Sequence, residues 1–165
     1  MMRALQILLL FIGLGVSAQD SLHTVLSKFN DGSIPYLSVE ELKMLQDTSD
    51  FLLLDTRERK EFEVSKIEDA VYAGYNQFSI SQFSNFVADK NQPIVVYCSL
   101  GVRSEAIGEK LKKAGYTNVK NLYGGIFEWK NKGFPVFDLK GNKTEKVHAF
   151  SKQWGKWLLK GEKIY

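Results

Sequence analysis

The sequence predicts an α/β fold in which a mostly parallel sheet of about five strands is covered by helices on both faces. Residues 51–54 and 94–97 are continuous apolar runs, typical of strands that are buried on both faces of a sheet. Segments with helical spacing follow both runs, and such alternation favours parallel sheets. The chain has 165 residues, of which 44% are hydrophobic, enough for one domain with extensions at its ends.

Residues 1–18 are predicted to be a cleavable secretory signal peptide. Arg3 provides a positive start, residues 5–15 are apolar except for Gln6, and residues 16–18 are small enough for a signal peptidase to cleave after Ala18. A membrane anchor is the alternative, but the apolar run is shorter than the roughly 20 residues that a membrane span needs. We therefore expect a periplasmic or secreted protein that is not stably inserted in a membrane after cleavage.

The predicted domain occupies residues 38–137 and follows a polar leader at residues 19–37. Ser38 and Glu41 have the spacing of a capping box, in which each side chain bonds the other's backbone N–H at a helix start. The apolar residues after Ser38 recur on one helical face. They are Val39, Leu42 and Leu45. A helix is therefore expected immediately after the leader.

Asp55 follows the first buried strand directly. Residues 57–64 favour a short helix, in which Glu61 and Glu63 are expected to be solvated charges. Residues 70–72 are a weaker strand candidate. A further helix is predicted from apolar residues at helical spacing. These are Ile80, Phe83, Phe86 and Val87.

Cys98 follows the second buried strand, and the loop of residues 99–104 leads into a helix. The inner face of that helix is predicted to consist of Ala106, Ile107, Leu111 and Ala114. Gly115 is expected to end the helix in a left-handed conformation. Because the carboxyl ends of parallel strands share one edge of a sheet, Asp55 and Cys98 should open onto the same side.

The last elements of the domain are a short strand at residues 119–122 and a short helix that Gly124 and Gly125 open. The extension at residues 138–165 carries apolar residues at roughly helical spacing. They are Val147, Phe150, Trp154, Trp157 and Leu158. This stripe favours packing on the domain. A partner-binding helix is the alternative.

Composition excludes several classes of function. The net charge is +3 and the lysines are dispersed, which argues against nucleic acid as a partner. His23 and His148 are distant in sequence, and one cysteine cannot build a metal cluster with them. We expect both histidines at the surface and neither a metal nor an organic cofactor.

The loop around Cys98 has the composition of an anion cradle. A free cysteine is often only a small buried hydrophobe. Here the backbone N–H groups of the loop, the start of a helix and Arg103 would all favour the thiolate, so the pKa of Cys98 should be lowered. Gly101 would relieve crowding in the tight turn. Such a thiolate suits nucleophilic attack on sulfur.

These motifs resemble the rhodanese-like family over residues 38–137. The loop from Cys98 to Ser104, with glycine two positions before Arg103, is similar to the family's active-site loop. The segments 54–58, 122–126 and 133–136 resemble three further family motifs in the family's order. The sequence departs from the family at Lys66, Glu68 and Asp69, where the family usually shows His, Pro and Gly.

The resemblance implies a sulfurtransferase. Cys98 would take sulfur from a donor such as thiosulfate, hold it as a persulfide and pass it to a small acceptor or to a thiol protein. The loop would bind substrate through residues Ser99, Leu100, Gly101, Val102, Arg103 and Ser104. Asp55 and Arg57 would support it. Asp55 could alternatively line the mouth of the site, although a charge pair with Arg57 or Arg103, or hydrogen bonds accepted from loop N–H groups, are favoured.

Three alternatives stay open. A cysteine phosphatase also cradles an anion above a cysteine and an arginine, although its arginine normally stands one residue later. A regulatory binding module of the same fold usually lacks the cysteine. A carrier that passes sulfur only between proteins would use the same residues as the enzyme.

Overall fold

The computed structural model describes the chain from residue 16 to residue 165, with side chains from Leu22 onward. The predicted signal peptide at residues 1–18 lies almost entirely outside the described residues. Within residues 16–165, no helix combines the length and the apolar character that crossing a membrane requires.

A five-stranded parallel sheet forms the centre of the molecule. Its strands are β1 (Tyr36–Leu37), β2 (Leu52–Asp55), β3 (Val71–Tyr72), β4 (Ile94–Tyr97) and β5 (Val119–Leu122). Their order across the sheet is β1-β5-β4-β2-β3, and all neighbours run parallel. The predicted fold class is therefore confirmed.

Helices cover both faces of this sheet. They are α1 (Val16–Phe29), α2 (Val39–Gln46), α3 (Arg59–Val64), α4 (Ile80–Phe86), α5 (Val102–Lys113), α6 (Gly125–Asn131) and α7 (Lys152–Gly155). Along β4, Val95 and Tyr97 pack into one apolar cluster, whereas Ile94 and Val96 pack into the other. This alternation buries both faces of the strand and explains why the run is continuously apolar.

The segment before the domain is more structured than a polar leader. Helix α1 occupies much of it, and Leu22 and Leu26 are buried in the larger cluster, called here the main core. Their spacing of four residues places them on one helical face. The capping box at the next helix is confirmed, since Ser38 and Glu41 exchange hydrogen bonds of 2.8 and 3.2 Å.

The extension at the C-terminus is not a single amphipathic helix. It consists of short elements: β7 (Lys143–Thr144) pairs with β6 (Val136–Phe137) at the end of the domain, and β8 (Lys146–His148) pairs with β9 (Glu162–Ile164), with α7 between β8 and β9. Phe150 has a φ of +63°, which no α-helix contains, and this explains why the helical pattern is wrong.

The apolar side chains of the extension nevertheless reach the main core. Val147 and Leu158 are fully buried there, and Trp154 and Trp157 are partly buried against it. His148, expected at the surface, is only 4% exposed, so that expectation is wrong. It belongs to β8, which packs against α3.

Candidate active site

Cys98 lies at the carboxyl edge of the sheet, between β4 and the N-terminus of α5. The residue is 2% exposed, and its sulfur accepts a 3.1 Å hydrogen bond from the backbone N–H of Gly101. Gly101 has a φ of +116°, a conformation that favours glycine, and it is the residue from which α5 begins. The positive end of the helix dipole therefore faces the sulfur.

The second polar contact of the sulfur is the hydroxyl of Ser104, whose oxygen lies 3.6 Å from it. That hydroxyl also has a nearer acceptor, since Ser104 Oγ lies 2.7 Å from Asn121 Oδ1. A hydroxyl carries one proton, so Asn121 and a Cys98 thiolate compete for it. Ser104 and Asn121 are both fully buried, which gives water no direct route to this pair.

Asn121 ties the loop to the helix behind it. Its amide nitrogen donates to the carbonyl of Gly101 at 2.8 Å and to Glu105 at 2.9 Å. Sequence reasoning did not single out this residue. The signal that could have found it is a polar residue inside a strand that must be buried. A buried amide is usually fully hydrogen-bonded, so such a residue is expected to hold neighbouring groups in place.

Arg103 is held by a carboxylate from another part of the chain. Its two terminal nitrogens donate to the two oxygens of Glu61 at 2.6 and 2.8 Å, and one of them also donates to Ser99 Oγ at 3.0 Å. Ser99 donates to Glu61 at 3.1 Å. Glu61 is fully buried, so its predicted place in solvent is wrong, because α3 turns this residue towards the loop.

Charge and hydrogen bonding lower the pKa of Cys98 below its ordinary value. Burial opposes ionisation and is the largest influence, but it is outweighed by the positive charge of Arg103 and by hydrogen bonds from Ser104 and Gly101. The arrangement therefore favours a thiolate despite the low exposure.

The Glu61–Arg103 pair also favours its own charged state. Burial raises the pKa of Glu61, but hydrogen bonds and the charge of Arg103 lower it by a larger amount, so the pKa is depressed overall. Burial likewise opposes the charge on Arg103, and the bonds to Glu61 more than offset it, so its pKa is raised. Both groups are charged at neutral pH.

Asp55 and Arg57 lie near the same edge but pair with each other. Arg57 donates to Asp55 at 2.7 Å, and both side chains are fully inaccessible to solvent. Tyr97 donates to the same carboxylate at 2.7 Å, and Arg57 also donates to the carbonyl of Ser65 at 2.6 Å. Asp55 is therefore a charge partner and does not line an open mouth.

The remaining loop residues have separate surroundings. Leu100 is 3% exposed and packs in the main core, where half-buried Val102 joins it, so these two contribute backbone to the loop. Helix α5 begins at Val102, which makes the second half of the predicted loop the first turn of the helix.

Helix α6 supports the loop from behind. The backbone N–H of Ile126 donates to the carbonyl of Cys98 at 3.0 Å. Gly125 lies so close that a Cβ there would stand 2.3 Å from the same carbonyl oxygen. Only glycine allows this approach, which explains the second glycine of the pair.

Among residues 16–165 no three histidine, cysteine, aspartate or glutamate side chains are arranged to hold a metal ion. What the geometry provides is a cysteine of lowered pKa beside a helix N-terminus, with N–H and O–H donors directed at the sulfur. That arrangement can stabilise negative charge on Cys98 or on an atom bonded to it.

A family model described as the rhodanese-like domain matches residues 38–132, which is more than half of the chain. Among curated proteins, the chain is 32% identical over 108 residues to the tRNA uridine(34) hydroxylase of Photorhabdus laumondii. That match covers 61% of this chain and 31% of the relative, so the chain spans less than a third of the length of this relative.

Solved structures share the fold. A thiosulfate sulfurtransferase from Pseudomonas aeruginosa has a TM-score of 0.61 at 21% identity, covering 87% of this chain and 26% of that one. A human single-domain sulfurtransferase has a TM-score of 0.52 at 23% identity, covering 61% of this chain and 97% of the other. At these identities the likeness concerns the fold.

Proposed function

Since the chain belongs to the rhodanese-like domain family, we propose that it is a sulfurtransferase in which Cys98 carries a sulfur atom as a persulfide. The observation that carries this proposal is the environment of the sulfur. The N–H of Gly101 lies 3.1 Å from it, the Ser104 hydroxyl lies near it, and the pKa of Cys98 is lowered. The same donors suit the negative charge of a persulfide.

The proposed reaction needs no redox partner or cofactor. The Cys98 thiolate attacks the outer sulfur of a donor such as thiosulfate, a new S–S bond forms, and sulfite leaves with the electron pair of the broken bond. A thiophilic acceptor, such as cyanide or a thiolate, then attacks the terminal sulfur of the persulfide. The S–S bond breaks and the Cys98 thiolate is restored.

The proposed role of Arg103 is to hold the loop and to stabilise the thiolate. Both terminal nitrogens are engaged by Glu61, and one of them also by Ser99. A guanidinium with a buried counter-charge is poorly placed to attract an anionic donor from solution. This favours the loop-holding role over direct donor binding.

Export remains part of the proposal. Cleavage after Ala18 would leave most of α1, including the buried Leu22 and Leu26, on the mature chain. N-terminal sequencing of the exported protein tests it: a start near Gln19 supports export, and retention of residues 1–18 in a membrane fraction contradicts it.

Steady-state assays test the activity. We expect sulfite release from thiosulfate when cyanide or a thiol is the acceptor, and none with Cys98→Ser, because a serine hydroxyl does not form a stable persulfide. Hydrolysis of a phosphate ester by the same preparation is the contrasting assay. Cys98-dependent ester hydrolysis without sulfite release would contradict the proposal and favour a phosphatase.

A further inference from the structure

Helix α1 covers one side of the loop that holds Cys98, although α1 lies outside the residues matched by the family model. Asn30, just after the helix, donates to the carbonyl of Gly101 at 2.9 Å. A Cβ placed on Gly101 would lie 3.7 Å from Cδ2 of Leu26. The turn that cradles the sulfur is therefore in direct contact with this additional helix.

The C-terminal extension covers another side of the same loop. The ring centroid of Phe150 lies 4.6 Å from the guanidinium carbon of Arg103. Strand β8, just before this residue, packs on α3, which carries Glu61. The pair that holds the loop is thus overlaid by a segment that also lies outside the matched residues.

The two covering segments touch each other. The rings of Phe29, at the end of α1, and Trp154, in α7, have centroids 5.8 Å apart. Leu100 of the loop packs in the same core as Leu26, with Trp154 partly buried against it. Cys98, which the same loop holds, is itself only 2% exposed.

Phe150 has an unusual backbone conformation. Its φ of +63° is uncommon for a bulky residue, and the residue remains 42% exposed, so core burial does not explain its position. Its N–H donates to Nδ1 of buried His148 at 3.0 Å, which fixes the turn. Strained residues held by their surroundings are concentrated at functional sites.

We propose that Phe150 is a specificity-determining residue that, together with α1, restricts access to Cys98. The site then exchanges sulfur with small molecules whose reacting sulfur is terminal and sterically unhindered, and it excludes cysteines on a protein surface. The identity of the exchanged group rests on the proposed function. The restriction of access does not, because it concerns only the approach to a buried sulfur.

Two maleimides of equal reactivity and different bulk test the restriction. N-Ethylmaleimide represents a small partner, and a maleimide tethered to polyethylene glycol represents a macromolecular one. Rates are measured at a pH where Cys98 is fully ionised, so a change in its pKa does not contribute. Each alkylation rate is divided by the rate of the same reagent with the same protein unfolded in denaturant. The readout is the normalised rate of the small reagent divided by that of the large reagent.

Three variants make the test specific. Phe150→Gly removes the ring while accepting the positive φ. Phe150→Leu keeps an apolar side chain and serves as the conservative variant. Phe86→Ala is the matched control, because Phe86 is 87% exposed on α4, whose Ile80 and Phe83 pack against the second apolar cluster. If Phe150→Gly does not fold, Phe150→Ala replaces it under the same criteria.

The wild-type protein should react with the small reagent and much more slowly with the large one. Phe150→Gly should lower the ratio at least about tenfold, because the ring no longer obstructs the approach of the large reagent, whereas Phe150→Leu and Phe86→Ala should keep the wild-type ratio. A wild-type ratio near one, or no change in Phe150→Gly, overturns the proposal. Failure of sulfur loading together with the expected ratios would instead overturn the proposed function alone.

Discussion

Two buried carboxylate–arginine ion pairs lie at the carboxyl edge of the sheet, and they connect different parts of the molecule. Asp55 and Arg57 are wholly inaccessible and bond to Tyr97 and to the backbone of Ser65. Glu61 and Arg103 form a two-fold hydrogen-bonded pair whose arginine is 15% exposed. The first pair joins parts of the scaffold, whereas the second joins α3 to the loop of Cys98.

The neighbouring groups show the same division. Burial raises the pKa of Tyr97, and the adjacent Asp55 raises it further, so this phenol stays neutral and donates its proton. Burial opposes the charge on Arg57, and Asp55 more than offsets it, so the pKa of Arg57 is raised. In contrast, the charge of Arg103 acts on the thiol of Cys98. Two pairs of the same chemistry thus differ in their surroundings: one lies within the scaffold, and the other influences the ionisation of Cys98.

The largest expected effect is on stability, from Arg57→Met. Removing one partner of a buried pair leaves an uncompensated charge and typically costs about 3–5 kcal/mol. Urea unfolding should show this loss, while the midpoint of Cys98 alkylation against pH should stay as in the wild type. Lys60→Ala, at an exposed position of α3, should cost no more than about 0.5 kcal/mol. A shifted alkylation midpoint in folded Arg57→Met would contradict the division of roles.

Arg103→Ala should affect reactivity. Losing an electrostatic contact in a site that excludes water is worth about 2–4 kcal/mol in the barrier, so sulfur transfer should slow without vanishing. The alkylation midpoint should also rise, because a charge that favours the thiolate is gone. Circular dichroism checks that the variant is folded. An unchanged midpoint would mean that Arg103 does not act on the thiol.

Glu61→Gln should show a pH-dependent loss of stability. The pKa of Glu61 is lower in the folded than in the unfolded state, so its contribution is present above the unfolded value of about 4.3 and disappears as pH falls through the folded value. At neutral pH we expect a loss of about 1–3 kcal/mol from the weakened bonds to Arg103. Urea unfolding in acid should show the two proteins converging. A constant difference across the acid range would contradict this linkage.

The smallest expected effect comes from Tyr97→Phe. The hydroxyl donates to Asp55 and accepts from the N–H of Ile67 at 3.2 Å, and Arg57 still holds Asp55 after its removal. We expect a loss of about 1 kcal/mol. Thermal or urea unfolding measures it, with the rate of sulfur transfer as the control. A slower sulfur transfer at unchanged stability would show instead that Tyr97, like Arg103, influences the reaction at Cys98.

The sequence was sufficient for the parts of the molecule governed by strong local patterns. The continuous apolar runs predicted β2 and β4 because burial on both faces leaves no polar alternation. The position of Cys98 followed from the end of β4 and the start of a helix. The capping box at Ser38 needed only residues within one helical turn.

Features that depend on residues distant in the chain could not be predicted from the sequence. Glu61 meets Arg103 across 42 positions, and a charge on a short helix is solvated in most proteins. The helical spacing of Val147 and Trp154 matched a pattern that the backbone at Phe150 breaks. Leu22 and Leu26 did carry a local signal, since a spacing of four indicates one helical face, but the polar residues around them obscured it.

The central claim is that Cys98 carries sulfur, and intact mass measurement tests it most directly. The protein is incubated with thiosulfate, freed of excess donor and weighed beside Cys98→Ser. We predict that the wild-type mass increases by one sulfur atom, that a thiol acceptor removes the increase, and that the serine variant never shows it. A wild-type mass that is unchanged by sulfane-sulfur donors, or an increase that persists in Cys98→Ser, would contradict the account.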